Sequence, residues 1–405
     1  MKVVKIVFFA LWVVVLNACN LQTAPPLAAK GTFAYDLQFL KAKDSLVVLK
    51  SDDGKGQIIV SPKYQAKVFT STADGLNGKS FGWIKYETFS AKQLDAHMNA
   101  YGGEDRLWLG PEGGRFSLFF KPGTKMEFDN WNTPPAIDNE SWDLVSSTGK
   151  KASLTKNTSI QNYAGTTLSI KLQRDIEILE PAAIKQMLGI DDLDSTVKSV
   201  GFTTLNTITN SGTTAWDKTA GAPCLWSLDM FTPSPKTVII VPYKEDATGK
   251  VATTNYFGEI PKDRIVYNNG TLLFKADGKS RGKLGIPPNR AKNRIGSYDA
   301  ANNVLTIVLF DLDDKGDYLN QEWKPDTAPF TGDAVNAYND GQLANGSQMG
   351  PFYELESVSP AAFLKPGEKL SHKHSVFHFM GDINALDKIA LKTLGFSLHD
   401  KTHNI

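Results

Sequence analysis

The residues best suited to chemistry are concentrated between Gly102 and Phe120. This stretch sets five charged residues (Glu104, Asp105, Arg106, Glu112 and Arg115) among five glycines and a run of apolar and aromatic side chains. Leu107, Trp108, Leu109 and Phe116 to Phe120 favour burial. Charges buried beside them cost several kcal/mol unless they are paired. The simplest arrangement is a strand, a tight Gly-Pro turn and a second strand, with the charges aimed into a shared cleft. Arg106 carries five donors in a rigid fork, a match for vicinal hydroxyls or a carboxylate. Glu104, Asp105 and Glu112 then either orient Arg106 or bind the ligand themselves, and Trp108 joins them as a candidate contact. An internally paired structural network is the alternative.

Glu354 and Glu356 are two residues apart, so on a strand they share one face. Two such carboxylates repel and raise at least one pKa, which suits acid/base work; a solvated face, or pairing with Arg or Lys of the next strand, is the plainer outcome. His372, His374 and His378 hold half of the chain's six histidines, and their even spacing also puts them on one face. His372 and His374 are close enough to share a metal. His378 lies about 13 Å beyond His374 at the strand rise, too far for the same ion. The other readings for these histidines are a proton donor and hydrogen-bonded structural groups. Lys283, Arg290, Lys292 and Arg294 surround Pro287-Pro288-Asn289. An anion-binding loop is conceivable there, but a solvated loop is the simpler reading. There is no Gly-rich phosphate cradle, nucleophile elbow or metalloprotease motif. No Cys/His spacing calls for structural zinc, and no cofactor is implied.

The elements that must position these groups are mostly short strands. Ser45–Lys50, Gln57–Val60 and Gln65–Thr70 alternate with the turn signals Asp52-Asp53-Gly54 and Asp74-Gly75. Thr167–Gln173, Asp175–Leu179, Thr237–Val241 and Val304–Phe310 have strand character. Hairpins are expected for Phe202–Asn210 with Thr213–Trp216, and for Arg264–Tyr267 with Thr271–Lys275 around Asn268-Asn269-Gly270. Helices are expected over Thr32–Lys41, Ala91–Asn99, Pro181–Leu188 and Ala385–Leu394. Trp131 and Trp142 fall in a Pro/Asn-rich connection, either as a platform for sugar rings or as caps on the core. This pattern predicts an all-β, large antiparallel sandwich with a few short helices. No Gly/Ser linker divides it, so residues 31–405 are read as one domain. Lys+Arg 44 against Asp+Glu 43 leaves the chain nearly neutral, with no electrostatic footprint for nucleic acid.

The first 18 residues read as an export signal: Lys2 and Lys5, then the short apolar run Ile6 to Leu16. Leu16-Asn17-Ala18-Cys19 is similar to a bacterial lipobox, which implies lipidation of Cys19 and a tether over residues 19–30 that includes Pro25-Pro26. Asn20 is not the aspartate associated with inner-membrane retention. An outer-membrane lipoprotein facing the periplasm is therefore expected, anchored by lipid and not spanning the membrane. Cys224 is then the remaining cysteine, so no intramolecular disulfide is expected.

Three further stretches carry a resemblance. Phe352 to Pro360, then Leu364-Lys365-Pro366-Gly367-Glu368, then His372 to Phe379, is similar to the last hairpin of galactose-mutarotase-like proteins. Leu284-Gly285-Ile286 to Arg290 and Gly296-Ser297-Tyr298-Asp299 fit the middle region of that superfamily. The Gly102 stretch together with Ala337-Tyr338-Asn339-Asp340-Gly341 resembles a group of bacterial lipoproteins placed in the same fold and common in glycan-using bacteria. The resemblance implies a supersandwich with a sugar-sized cleft across one concave face and a mono- or oligosaccharide as partner. By resemblance, Glu356 takes the position of the mutarotase base and Arg106 that of the arginine that binds sugar hydroxyls. Asp340 and Glu354 join them as candidate contacts. The acid of mutarotases is a histidine in a His-Pro-Tyr-Phe-like stretch, but the comparable Leu225 to Phe231 has no histidine. Trp226 or Asp229 takes that space, and His374 is the candidate acid. The expected function is carbohydrate recognition at a membrane in glycan use, with aldose 1-epimerase-like chemistry as its enzymatic form. A non-catalytic sugar-binding lipoprotein is the first alternative, and a glycoside hydrolase or lyase a weaker one.

Overall fold

The computed structural model describes Met1, residues 28–403 and Ile405. The signal segment, Cys19 and most of the expected tether lie outside the described residues.

Strand Thr167–Ile178 shows why the chain folds as layered sheets. Its residues alternate between exposed or half-buried and buried, and Leu168, Ile170, Leu172, Arg174, Ile176 and Ile178 all point inward. It pairs with Lys151–Gln161 on one side and Lys198–Asn210 on the other, within a ten-stranded antiparallel sheet. That sheet continues through Lys369–Met380, Val304–Phe310, Arg294–Asp299 and Thr237–Pro242. It ends at the hairpin of Ile265–Asn268 and Thr271–Lys275. Asn269 and Gly270 in that turn have φ 44° and 72°, the left-handed pair a two-residue type I′ turn demands.

A five-stranded antiparallel sheet packs against the inner face of the large one. Its order in space is Gly282–Ile286, Val335–Asn339, Tyr353–Val358, Cys224–Phe231 and Arg106–Gly110. Leu107, Leu225, Leu284 and Leu355 from this sheet join Leu172, Ile208 and Val376 of the large sheet in one continuous apolar core. A smaller antiparallel sheet of Val47–Lys50, Gln57–Ser61 and Lys67–Thr72 carries helix Phe33–Lys41 on its outer side. Helices Pro181–Leu188 and Ile383–Leu394 cover part of the outer face of the large sheet through Ile184, Leu386, Ile389 and Leu394. The last helix starts at Asp382, whose side chain accepts the Asn384 N–H, and stops at Gly395 in the left-handed conformation. The expected all-β sandwich with few short helices is what the chain forms.

Three local expectations fail for physical reasons. Ala91–Asn99 is not helical, because Asp95 Oδ1 accepts the N–H groups of His97 and Met98 and so competes with helical bonding. Phe116–Phe120 is a folded loop rather than a second strand: the Ser117 and Leu118 N–H groups donate to the carbonyls of Gly114 and Pro111. Thr213–Trp216 does not pair with the preceding strand, since the Asn210 side chain donates to the Thr214 and Leu364 carbonyls.

Candidate functional site

The face of the five-stranded sheet turned away from the large sheet is a cleft. Register fixes what it displays. Arg106 is level with Leu228, Glu356 and Asn336 in one row, and Lys283, Tyr338, Glu354 and Met230 form the next. The side chains in these rows share one face because the strand period is two. Gly102 and Gly103, at φ 84° and 130°, feed the chain into strand Arg106–Gly110. A Cβ on Gly102 would stand 2.2 Å from the Trp83 carbonyl, so only glycine permits this approach.

Two connected hollows open on this face. The inner one, about 150 Å³, is lined by Arg106, Trp108, Trp131, Trp226, Tyr338, Glu354 and their neighbours. The outer one, about 370 Å³, runs on past Tyr256 and Gln321, and shares Glu112, Phe257, Arg281, Lys283 and Trp323 with the first. Together they reach the range, roughly 300–1,000 Å³, of small-ligand sites. The walls are aromatic: Trp131 stacks on Phe119 (5.8 Å between centroids) and on Trp323 (6.0 Å).

The charges in this cleft are specifically held. Arg106 Nη2 donates to Glu354 Oε1 at 2.5 Å, and the guanidinium lies over the Trp108 ring. Lys283 Nζ donates to Glu356 Oε2 at 3.0 Å, and the Trp226 indole N–H reaches the same oxygen at 2.9 Å. Glu356 is fully buried beneath the floor, and its Oε1 has no partner among the described residues. Glu112 accepts the Trp323 indole N–H at 3.1 Å, while its own backbone N–H donates to Gln321 Oε1. Burial pushes the Glu354 carboxyl up to about 8; the nearby Glu356 adds to the rise and Arg106 opposes it. Burial also raises the Glu112 pKa, against the pull of Lys283. Of the two carboxyls facing the cleft, Glu354 is therefore readily protonated near neutral pH, and Glu112 is shifted in the same direction.

The structure divides the residues singled out in the sequence into two layers. Arg106, Trp108, Glu112 and Glu354 converge on the cleft, with Glu356 directly under it. Asp340 does not line the hollows; it accepts from the Tyr338 hydroxyl (3.2 Å) and the Gly350 N–H (3.1 Å), and so fixes the rim. Glu104, Asp105 and His374 do not reach the cleft. They lie on the opposite side of the five-stranded sheet, in a polar layer sealed between the two sheets. There Asp105 pairs with Arg174 at 2.9 Å and accepts from Thr204. Glu104 bonds His378 at 2.9 Å and accepts from Ser71. His374 bonds Asp229 at 2.8 Å, and Ser357 Oγ links its ring to His372. Parity explains Asp105, Asp229 and Ser357, which point away from the face that carries Arg106, Leu228 and Glu356. Glu104 precedes strand Arg106–Gly110, where its N–H donates to the Phe69 carbonyl and its carboxylate meets Ser71 and His378. His374 therefore has no path to a ligand in the cleft, and no histidine lines either hollow among the described residues. Asp229 is excluded from the cleft by the same layer, whereas Trp226 does face it.

The basic residues around Pro287-Pro288 do not act as one cluster. Lys283 enters the cleft, Arg290 donates to the carbonyls of Lys244, Glu245 and Gly249, and Arg294 donates to that of Thr393. Trp131 lines the cleft, while Trp142 is core, its indole N–H bonded to the Ala136 carbonyl. Cys224 is a buried free thiol, pushed up to about 12 by burial. Sequence reasoning passed over Arg281, Phe257 and Trp323. Arg281 and Lys283 at an interval of two around a Gly-Lys-Leu-Gly-Ile strand were the available signal for the cationic side.

These features define a large antiparallel β-sandwich protein with an aromatic, charge-lined cleft on the outer face of its five-stranded sheet. The profile of DUF6786, a family of unknown function, matches residues 31–405, and the chain belongs to that family. No curated protein is significantly similar to it in sequence. Among solved structures it is similar to the Slr1438 protein of Synechocystis sp. PCC 6803, at 12% identity over 84% of this chain and 96% of that one, TM-score 0.49. A putative aldose 1-epimerase of Escherichia coli K12 gives 12% identity over 82% and 98% of the two chains, TM-score 0.47. A galactose mutarotase-like protein of Lactobacillus casei ATCC 334 gives 11% identity over 82% and 100%, TM-score 0.47.

Proposed function

We propose that this protein binds a saccharide in the cleft of the five-stranded sheet. The observation that carries the reading is the combination in one hollow of four tryptophans (Trp108, Trp131, Trp226 and Trp323) with Arg106, Lys283, Glu112 and Glu354. Aromatic faces pack against the C–H faces of a sugar ring, while fixed donors and acceptors recognise its hydroxyls. The lipobox-like Leu16-Asn17-Ala18-Cys19 supports a protein tethered by lipid to the outer membrane, facing the periplasm and serving glycan use.

Aldose 1-epimerase-like chemistry is the catalytic form of this proposal, favoured by the two raised carboxyls that share the cleft. Ring opening needs one group to take the proton of the anomeric hydroxyl as the C1–O5 bond breaks. A second group protonates O5, which receives the bonding pair. Closure on the other face after rotation returns both protons. In this reading the Glu354 carboxylate, the form that Arg106 favours, is the base and Glu112 as acid replaces the histidine that the cleft lacks, with Glu356 holding Lys283 and Trp226 in place. The test is calorimetric titration with common aldoses and oligosaccharides, together with NMR of freshly dissolved α-aldoses. Saturable binding lost in Arg106→Ala supports recognition; accelerated anomerisation lost in Glu354→Gln and Glu112→Gln supports catalysis. Binding without acceleration leaves a non-catalytic sugar-binding protein, and absence of both removes the proposal.

A further inference from the structure

The cations of the cleft are not equally satisfied. Arg106 is paired with Glu354, Lys283 with Glu356 and Lys324 with Glu322. Arg281 makes no ion pair among the described residues. Its guanidinium is nevertheless held in position: it lies 3.8 Å from the centroid of the Phe257 ring, and its Nε donates to the Tyr338 hydroxyl at 3.2 Å. That hydroxyl in turn donates to Asp340. A guanidinium fixed on an aromatic face and bonded through Nε keeps its terminal nitrogens as a free, planar fork. Arg281 lines both hollows, on the rim where they meet.

We infer that the saccharide taken by this cleft carries a carboxylate, as a uronic acid does, and that Arg281 grips it bidentately while the sugar ring lies along Phe257 and Trp323. This rests on the saccharide reading above. One free fork matches one planar monoanion in shape and charge. A phosphate dianion is a poorer match, because the other cations of the cleft already have carboxylate partners. Glu112 lines both hollows with Arg281 and makes no ion pair among the described residues. Burial favours its neutral form, in which it donates to the ligand rather than repelling it.

The experiment is calorimetric titration of the full chain at low and moderate salt. The ligands are glucuronate, galacturonate and digalacturonate, the parent hexoses glucose and galactose, and glucose 6-phosphate. The expected result is a uronate affinity about tenfold or more above that of its parent hexose, as charge-assisted bonds supply, and weakened by salt. In Arg281→Gln the ratio of the two affinities falls towards one, and Arg281→Lys, which keeps charge but not the fork, gives an intermediate ratio. Arg281 is exposed, so the fold is not at stake in either variant. Equal affinity for uronate and hexose overturns the inference while leaving the saccharide reading intact, as does a preference that survives Arg281→Gln. Tighter binding of glucose 6-phosphate than of the uronates overturns the carboxylate assignment. No binding of any of these ligands overturns the saccharide reading and this inference together.

Discussion

Arg106 and Glu354 meet at 2.5 Å although their strands are not neighbours: strand Cys224–Phe231 lies between them, and the pair closes diagonally over its Leu228 and Met230. The bridge thus ties one edge of the cleft floor to its centre. Its members differ in what they do when orphaned. A carboxyl left alone can take a proton, and burial already pushes Glu354 towards that state, whereas a guanidinium stays charged.

Removal of the two partners is therefore expected to be unequal. Glu354→Leu strands a buried cation and should cost about 3–5 kcal/mol, while Arg106→Met should cost roughly half of that. In urea unfolding of the two single variants and the double variant, the double should be less destabilised than the sum by about 1–3 kcal/mol. Additive effects would mean that the bridge carries no coupling.

Lys283 and Glu356 make the deeper pair. Glu356 is fully buried, and Lys283 supplies its positive charge while Trp226 supplies a neutral donor. Lys283→Met should destabilise by about 3 kcal/mol or more, because the carboxylate loses its cation in a site without water access. Adding Glu356→Gln should recover much of that loss, since a neutral amide still accepts the Trp226 N–H. Failure of the second change to recover stability would show that Lys283 acts through packing on Trp226 and not through charge.

Sandwich architecture was legible because strands such as Thr167–Ile178 alternate strictly and the Asn-Asn-Gly turn has one favoured geometry. That Arg106 and Glu354 share a cleft followed from the family resemblance and not from their neighbours, since Arg106 directly follows Glu104-Asp105, which offered themselves as its partners. The side of the sheet each charge would face was not. Glu104, Asp105 and His374 have the same local character as Arg106, and only the register of Arg106 with Leu228 and Glu356 separates cleft from inter-sheet layer. Arg174 was invisible for a similar reason: it stands at an inward position of an otherwise apolar strand, and its partner Asp105 is distant in sequence. The loop Phe116–Phe120 was misread as a strand because aromatic density does not distinguish a strand from a loop that plugs a core.

The tryptophans of the cleft give an optical report on occupancy. Of the eight in the chain, Trp108, Trp131, Trp226 and Trp323 line the inner hollow. A saccharide seated there should change their emission. Trp323 bonds Glu112 and stacks on Trp131, so Trp323→Ala removes both a ring wall and the orientation of a carboxyl. Affinity for the saccharide is expected to fall by about 1–3 kcal/mol, with the fluorescence change reduced in parallel. Trp142→Phe, a change in the core away from the cleft, should leave the affinity as it was. Equal loss in both variants would point to general disturbance of the fold.

The inter-sheet layer predicts an acid sensitivity with a definite sign. His372 is buried and bonds Ser357 Oγ at 2.8 Å, and burial, with His374 beside it, pushes its pKa down to about 3. An unfolded histidine titrates near 6.5. Between these values the unfolded chain binds the extra proton, so His372 withdraws stability as pH falls from about 6.5 towards 3 and costs nothing above that window. Asp229 and His374 titrate in the same layer, both upward from their usual values, so the total pH profile mixes opposing contributions. Comparison with His372→Gln isolates one group. At pH 7.5 the variant should be less stable by about 1 kcal/mol for the altered hydrogen bond. By pH 4.5 the wild type should have lost about 2–3 kcal/mol relative to the variant, which reverses their order. Urea unfolding of both proteins at the two pH values reads this directly. A difference that stays constant with pH would mean that His372 takes its proton as easily in the folded protein as in the unfolded chain.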